Sequence, residues 1–352
     1  GTPPSGVVLS AIVVTASLAY SLQWRLAGAA IVILLLVGLA LRIVPSTGFS
    51  DVLTVTEAAS REMLAGGNPY GHGFEESVPP GAPFAYGPLA LLWYLPSLSD
   101  PGRLELLASV VVLGLLALRG RPLGLAIYAV TPAFVVASGD GSNDTTAGLL
   151  ILVALLAAVR LPLLGAALLA VAVAFKPYAL AWLPGLVGFA GLGPLLVFLA
   201  TSAVFWLPAL IAWGPGSLLW SYREADALHA RPYYSLAYGL GSEDDVPRAA
   251  WNGLRVGAGV ALAVLNVVFV RSAAGLIIGG TLVFAATLFL GWWGTFAYLS
   301  AVAPIICWHL DDWLGLGGRV AWPGDPVRRV TDWADMAIPV RGSVIGSKGT
   351  AR

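Results

Sequence analysis

Apolar runs close to the length that crosses a bilayer recur from one end of this chain to the other. They fall at about 7–22, 27–44, 84–98, 104–118, 122–138, 145–159, 162–175, 178–191, 193–213, 251–270, 275–290 and 293–310. About 20 helical residues, rising 1.5 Å each, span the ~30 Å of hydrocarbon in a membrane. Charged residues make up 11% of the chain, hydrophobic ones 58%, and the mean hydropathy is +0.84. Soluble domains are about one quarter charged, so a water-facing surface cannot be built from this composition. The runs are rich in Leu, Ala, Val and Gly and lack the alternation of a β-barrel strand. The expected fold is all-α: a polytopic integral membrane bundle of about 11 transmembrane helices plus interfacial ones. Cys307 is the single cysteine, so no internal disulfide forms. The formal net charge is zero, which leaves no footprint for nucleic acid.

Short-loop arginines set the expected orientation. Arg25, Arg119, Arg121, Arg160, Arg271, Arg319, Arg328 and Arg329 share one side if 84–98, bounded by Pro83 and Pro96, is an interfacial helix and not a span. That side is then cytoplasmic, as is a loosely ordered tail over 311–352. Residues 1–310 make one membrane domain. Its polar stretches 45–83, 139–144 and 214–250 lie on the opposite, extracytoplasmic face. No fixed-period repeat is visible.

Ionisable residues in such a chain are costly and mark sites. Asp51 directly follows the exit of the run 27–44, and 51–64 reads as an amphipathic surface helix with Val52, Val55, Ala59 and Met63 on one face. Asp51 is then either its N-cap or a working carboxylate. Next come Gly66-Gly67-Asn68-Pro69-Tyr70 and Phe84-Ala85-Tyr86-Gly87-Pro88-Leu89, which read as turn chemistry or as a ligand-binding loop. Ser138-Gly139-Asp140-Gly141-Ser142-Asn143-Asp144 is a tight polar hairpin. Asn143 or Asp144 there caps the next helix, or Asp140 and Asp144 bind a hydroxyl-rich ligand or a divalent metal. Lys176, one of only two lysines with Lys348, ends an apolar helix as a snorkelling cation or a phosphate ligand. Ser221-Tyr222-Arg223-Glu224 and His229 through Ser235, with Arg231, put arginines on the outer face against the positive-inside trend. His309, beside Asp311 and Asp312, reads as an anchor at the inner end of the last helix.

Together these blocks resemble the polyprenyl-phosphate-sugar-dependent C-type glycosyltransferases, and most closely glycosyltransferase family 87. The likeness rests on Asp51 after an early helix, on Gly66-Gly67-Asn68-Pro69-Tyr70, on Phe84-Ala85-Tyr86-Gly87-Pro88-Leu89 and on Lys176-Pro177. It covers about 40–190; the rest is similar only in hydropathy. Two features depart from the family's pattern. The run 7–22 is additional, and the second outer loop lacks the family's Gly-Gln-x-Asn.

The resemblance implies an inverting hexosyltransferase, mannosyltransferase-like, acting at the extracytoplasmic face. The donor is a polyprenyl-phosphate sugar, and the acceptor a glycolipid, a glycan or a protein. Asp51 is the expected general base, with His229 a second candidate for proton transfer. Lys176, Arg223 and Arg231 are expected to hold the phosphate. Asn68, Tyr70, Tyr86, Asp140, Asn143 and Asp144 shape the sugar and acceptor pocket. No cofactor is obligatory. Two other readings stand beside this one: a transporter or flippase of a lipid-linked or small polar solute, and a non-catalytic membrane scaffold.

Overall fold

A computed structural model describes residues 13, 27–43, 50–78, 80–229, 231–241 and 246–315. The expected helix over 7–22 and most of the tail fall outside these residues. The described chain is predominantly helical, with one two-stranded antiparallel ribbon, Gly73–Phe74 against Ala82–Pro83. Among the described residues, two helices are long and apolar enough to cross a membrane, α10 (Leu192–Ala227) and α12 (Arg248–Phe269). The most apolar window of each is only 11% buried within the protein, so their apolar faces turn outward. Shorter apolar helices accompany them, among them α1 (Ala27–Ile43), α7 (Asp144–Ala158), α8 (Pro162–Phe175) and α13 (Ala273–Phe289).

Proline and glycine divide several runs that read as continuous. Segment 84–98 is not one helix: α3 (Pro88–Trp93) stops at Tyr94 and a single 3-10 turn, Leu95–Ser97, follows at Pro96. One face of it, with Ala90, Leu91 and Tyr94, is fully buried against neighbouring elements, while Leu92 is 50% exposed. Run 122–138 breaks at Pro132 into α5 (Pro122–Val130) and α6 (Pro132–Ala137), since proline cannot donate into the preceding turn. Run 178–191 opens as a 3-10 helix, Pro177–Trp182, before α9 (Leu183–Ala190). Of the polar stretch 214–250, the part up to Ala227 is helical, not a loop. Gly214, at φ 77°, kinks α10, and Pro215 starts a second helical stretch that carries on to Ala227. The last run begins later than expected, at Tyr298, and α14 (Tyr298–Trp313) carries past residue 310.

The main core joins α1, α5, α7, α8, α13 and α14 with α4 (Gly102–Arg119). Buried polar groups in it satisfy broken helix ends. The Arg42 guanidinium donates to Tyr128 O (2.9 Å) and Ala129 O (3.0 Å), carbonyls left free where Pro132 stops α5, and to Ser109 Oγ (2.6 Å). Glu105 accepts from Thr146 N (3.0 Å), the Thr146 hydroxyl and Tyr94 Oη (2.6 Å). It therefore caps the start of α7 from another helix, because Asn143 at the N-cap supplies no side-chain bond. At the opposite end of α14, Asp311 accepts from Leu123 N and Gly124 N and so caps α5. Asp312 bridges Arg119 and Arg121. These two aspartates belong to the folded body and not to a loose tail. His309 stacks on Trp313 with ring centroids 5.6 Å apart.

Candidate functional site

Main-chain bonds join the segment before α2 (Val52–Leu64) to the hairpin at Asp140 and Gly141. Ser50 N donates to Asp140 O and Leu53 N to Gly141 O, each at 2.8 Å. Gly141 sits at φ 91°, and a Cβ there would lie 2.2 Å from Ser50 O. Only glycine fits both demands. Gly141→Ala should lower Tm and reduce any activity of the site together, since it forces apart the segments bearing Asp51 and Asp140. A thermal unfolding scan in detergent checks this, and an unchanged Tm would show that the loops do not depend on the contact.

Asp51 does not cap its helix, α2 (Val52–Leu64); Ser50 Oγ accepts the Val52 N–H at 3.3 Å instead. The Asp51 carboxylate reaches the next loop, where Oδ2 accepts from Val78 N at 2.9 Å. The α2 face formed by Leu53, Val55 and Ala59 is buried. Met63 and Val52, on the face expected to bury, stay partly exposed.

Lys176 is not a snorkelling cation. Pro177 holds it in an extended conformation at the end of α8 (φ −142°, ψ 112°). Its side chain is 6% exposed and donates to Asn143 Oδ1 (2.5 Å) and Asp144 Oδ1 (2.7 Å). Tyr178 Oη also donates to Asp144 Oδ1 at 2.7 Å. The ammonium lies 5.3, 5.2 and 5.9 Å from the ring centres of Tyr86, Tyr178 and Tyr298. Ion pair and aromatic faces together offset the cost of burying the charge. Asn143 and Asp144 thus serve the lysine rather than capping α7. Asp140 is buried, its Oδ1 accepts from Ser142 N at 2.8 Å, and burial pushes its carboxyl up.

A cavity of about 660 Å³ brings these groups together. Asp51, Tyr86, Asp140, Asp144, Lys176 and His229 all line it. The other candidates do not. Arg223 and Arg231 point to the exterior. Asn68 donates to Ser217 Oγ (3.0 Å) and accepts from Tyr70 N (3.0 Å), fastening its loop to α10. Tyr70 is buried, and its hydroxyl donates to Tyr86 O at 3.0 Å, so it places Tyr86 from behind. Asn143 stands behind Lys176.

The far wall carries residues that sequence reasoning missed. Arg255, on α12, lines the cavity and donates to Asp226 Oδ1 at 3.0 Å, while Arg248 holds Asp226 Oδ2 at 3.0 Å. Arg255 lines the cavity where Arg223 and Arg231 do not. It reads as the polar face of an ordinary amphipathic helix, so only the packing of α12 against the site reveals it. Tyr222 lines the cavity, and its buried hydroxyl has no partner among the described residues. Burial pushes the His229 imidazole down to about 4, so at neutral pH it holds no proton to donate as an acid. Four carboxylates thus face the cavity with two cations. Asp144 is paired with Lys176 and Asp226 with Arg248 and Arg255, which leaves Asp51 and Asp140 with no cation of their own among the described residues. Among those residues, no three His, Cys, Asp or Glu side chains converge to hold a metal ion.

Compared with known proteins, the chain matches no family model, no curated sequence and no solved structure.

Proposed function

We propose that the chain is a multi-pass membrane glycosyltransferase that moves a hexose, mannose by its resemblance, from a polyprenyl-phosphate donor to an acceptor hydroxyl at the extracytoplasmic face. The bundle in this reading has about 11 spans, tilted or shortened where proline breaks a run. The observation that carries the reading is the shared cavity. Asp51 and Lys176, distant in sequence, face one space of a size that takes a sugar and its phosphate. A non-catalytic scaffold has no use for buried charges facing such a space.

In this mechanism the acceptor oxygen attacks the anomeric carbon, and Asp51 takes its proton as the new C–O bond forms. The bond from the anomeric carbon to the phosphate oxygen breaks, and its electron pair leaves on the lipid phosphate. Lys176 and Arg255 stabilise that charge. One displacement inverts the anomeric centre. The phosphate gains one negative charge as it leaves, and these two side-chain cations supply the countercharge in the step. Asp140, with its carboxyl pushed up by burial, is suited to hydrogen-bond a sugar hydroxyl.

The test is transfer by the purified protein in nanodiscs from polyprenyl-monophosphate mannose. Release of polyprenyl phosphate in step with an inverted glycoside supports the reading. Failure to turn over this donor or its glucose counterpart with any hydroxyl acceptor overturns it.

Tyr222 gives a separate check. Its unpartnered hydroxyl is a buried polar group left for a ligand. Tyr222→Phe should leave Tm unchanged or slightly raised, because it removes an unsatisfied group. The same variant should raise the donor KM about tenfold, the loss of roughly one hydrogen bond to a charged or polyhydroxylated ligand. An unchanged KM removes Tyr222 from the binding site.

A further inference from the structure

The cavity does not end at its charged floor. Aromatic rings continue from it to the surface. His229 lies flat on Trp293, with ring centroids 3.6 Å apart and planes 5° apart, and both line the cavity. Tyr233 lines it too and packs edge-on against Tyr234 at 4.4 Å. Tyr238 lies 6.0 Å from Tyr233, and Phe296 lies 5.9 Å from Tyr234. Tyr233, Tyr234 and Tyr238 are 45%, 46% and 54% exposed.

These rings are held out, not left loose. Gly294 N donates to Tyr233 O at 2.8 Å, Ser235 Oγ to Trp292 O at 2.7 Å, and Trp292 Nε1 to His229 O at 3.0 Å. Ala237, Trp251 and Trp292 form a small buried cluster beneath. Tyr234 sits at φ 41°, among the described residues the one non-glycine in the left-handed region. That conformation is strained for a bulky residue, and such strain persists where the surroundings impose it.

We propose that this strip is the acceptor subsite and that the acceptor is a saccharide of at least two rings, bound as a neutral chain stacked along Trp293, Tyr233 and Tyr234. The proposal rests on the glycosyltransferase reading and narrows its acceptor. The apolar C–H face of a sugar ring matches the negative face of an aromatic ring, while phenolic hydroxyls along the edge bond sugar hydroxyls. Trp293, Tyr233 and Tyr234 bear no carboxylate, ammonium or guanidinium group, which suits an uncharged ligand. Aromatic residues also anchor proteins at the membrane surface. An anchor belt, however, has no reason to begin inside a polar cavity.

The experiment measures binding of methyl glycosides of mannotriose and maltotriose to the protein in nanodiscs, by saturation-transfer NMR and tryptophan fluorescence. At least one trisaccharide should bind. Tyr234→Gly should weaken it about tenfold, the loss of one stacking contact, while Tm stays level or rises because glycine accepts φ 41° without strain. Binding is read without donor and without turnover, so this arm stands apart from the catalytic reading. Octyl glycosides of the same sugars separate the two sources of a saccharide. Tighter binding of the octyl form assigns the acceptor to a glycolipid headgroup and equal binding to a free glycan, and either supports the proposal. Binding of neither trisaccharide overturns it, as does wild-type binding by Tyr234→Gly. Quenching of Trp293 by brominated lipid that is lost in Tyr234→Gly, with no saccharide binding, identifies the strip as a lipid anchor and also overturns it.

Discussion

Asp51→Asn should lower kcat by about 10²- to 10⁴-fold, the range set by losing a general base, with donor KM nearly unchanged. The argument is local. The carboxylate makes a single protein hydrogen bond, from Val78 N, and no cation pairs with it among the described residues. An oxygen therefore remains free to accept a proton from the acceptor. Asparagine keeps a carbonyl oxygen for the Val78 bond, so the loop between α2 and the ribbon should hold its shape. Thermal unfolding within a degree or two of wild type, beside the collapsed kcat, separates chemistry from folding. A variant with full activity removes Asp51 from the mechanism and leaves the cavity without an assigned base.

Lys176→Ala should be the most destabilising single change at the site, by about 3–5 kcal/mol, the cost of leaving one member of a buried ion pair uncompensated. The Asp144 side chain is only 3% exposed and accepts from both Lys176 and Tyr178. Truncating the lysine strands that carboxylate in an apolar, aromatic setting. The double variant Lys176→Ala with Asp144→Ala should recover most of the lost stability while remaining inactive, because the charge meant for the leaving phosphate is still missing. Chemical denaturation of the two variants, read with donor binding, measures both effects. Equal stability losses in the single and double variants would mean that the pair does not hold α7 to α8. Unimpaired donor binding in either would take the phosphate away from Lys176.

The amino-acid sequence made the helical, strongly apolar character of the chain legible because that follows from composition, which no packing detail can reverse. It also made most of the near wall legible. Asp51, Asp140, Asp144 and Lys176 are polar residues at the ends of apolar runs, and their shared side of the bundle follows from counting those runs. The far wall was hidden for a physical reason. Arg255 and Asp226 lie on helices whose polar faces look like ordinary solvent-exposed ones, and their ion pair joins elements that only tertiary packing brings together. Asn68 and Tyr70 misled in the opposite direction. They look like ligand-binding residues, but their bonds to Ser217, to each other and to the Tyr86 carbonyl show them bracing the loop. Glu105 and Arg42 passed unnoticed because each lies inside or at the end of an apolar run, where its work is to complete a helix end belonging to another segment.

The joint between Ser50 and Asp140 and between Leu53 and Gly141 uses peptide groups alone. Every amino acid but proline supplies both groups, so the joint itself asks for no particular side chain at 50, 53 or 140 and only for the glycine at 141. Over evolutionary time such a joint lets the side chains around it change while the backbone geometry stays put. Neighbouring positions on the same frame can be rewritten for a new partner molecule without unseating the carboxylate beside them.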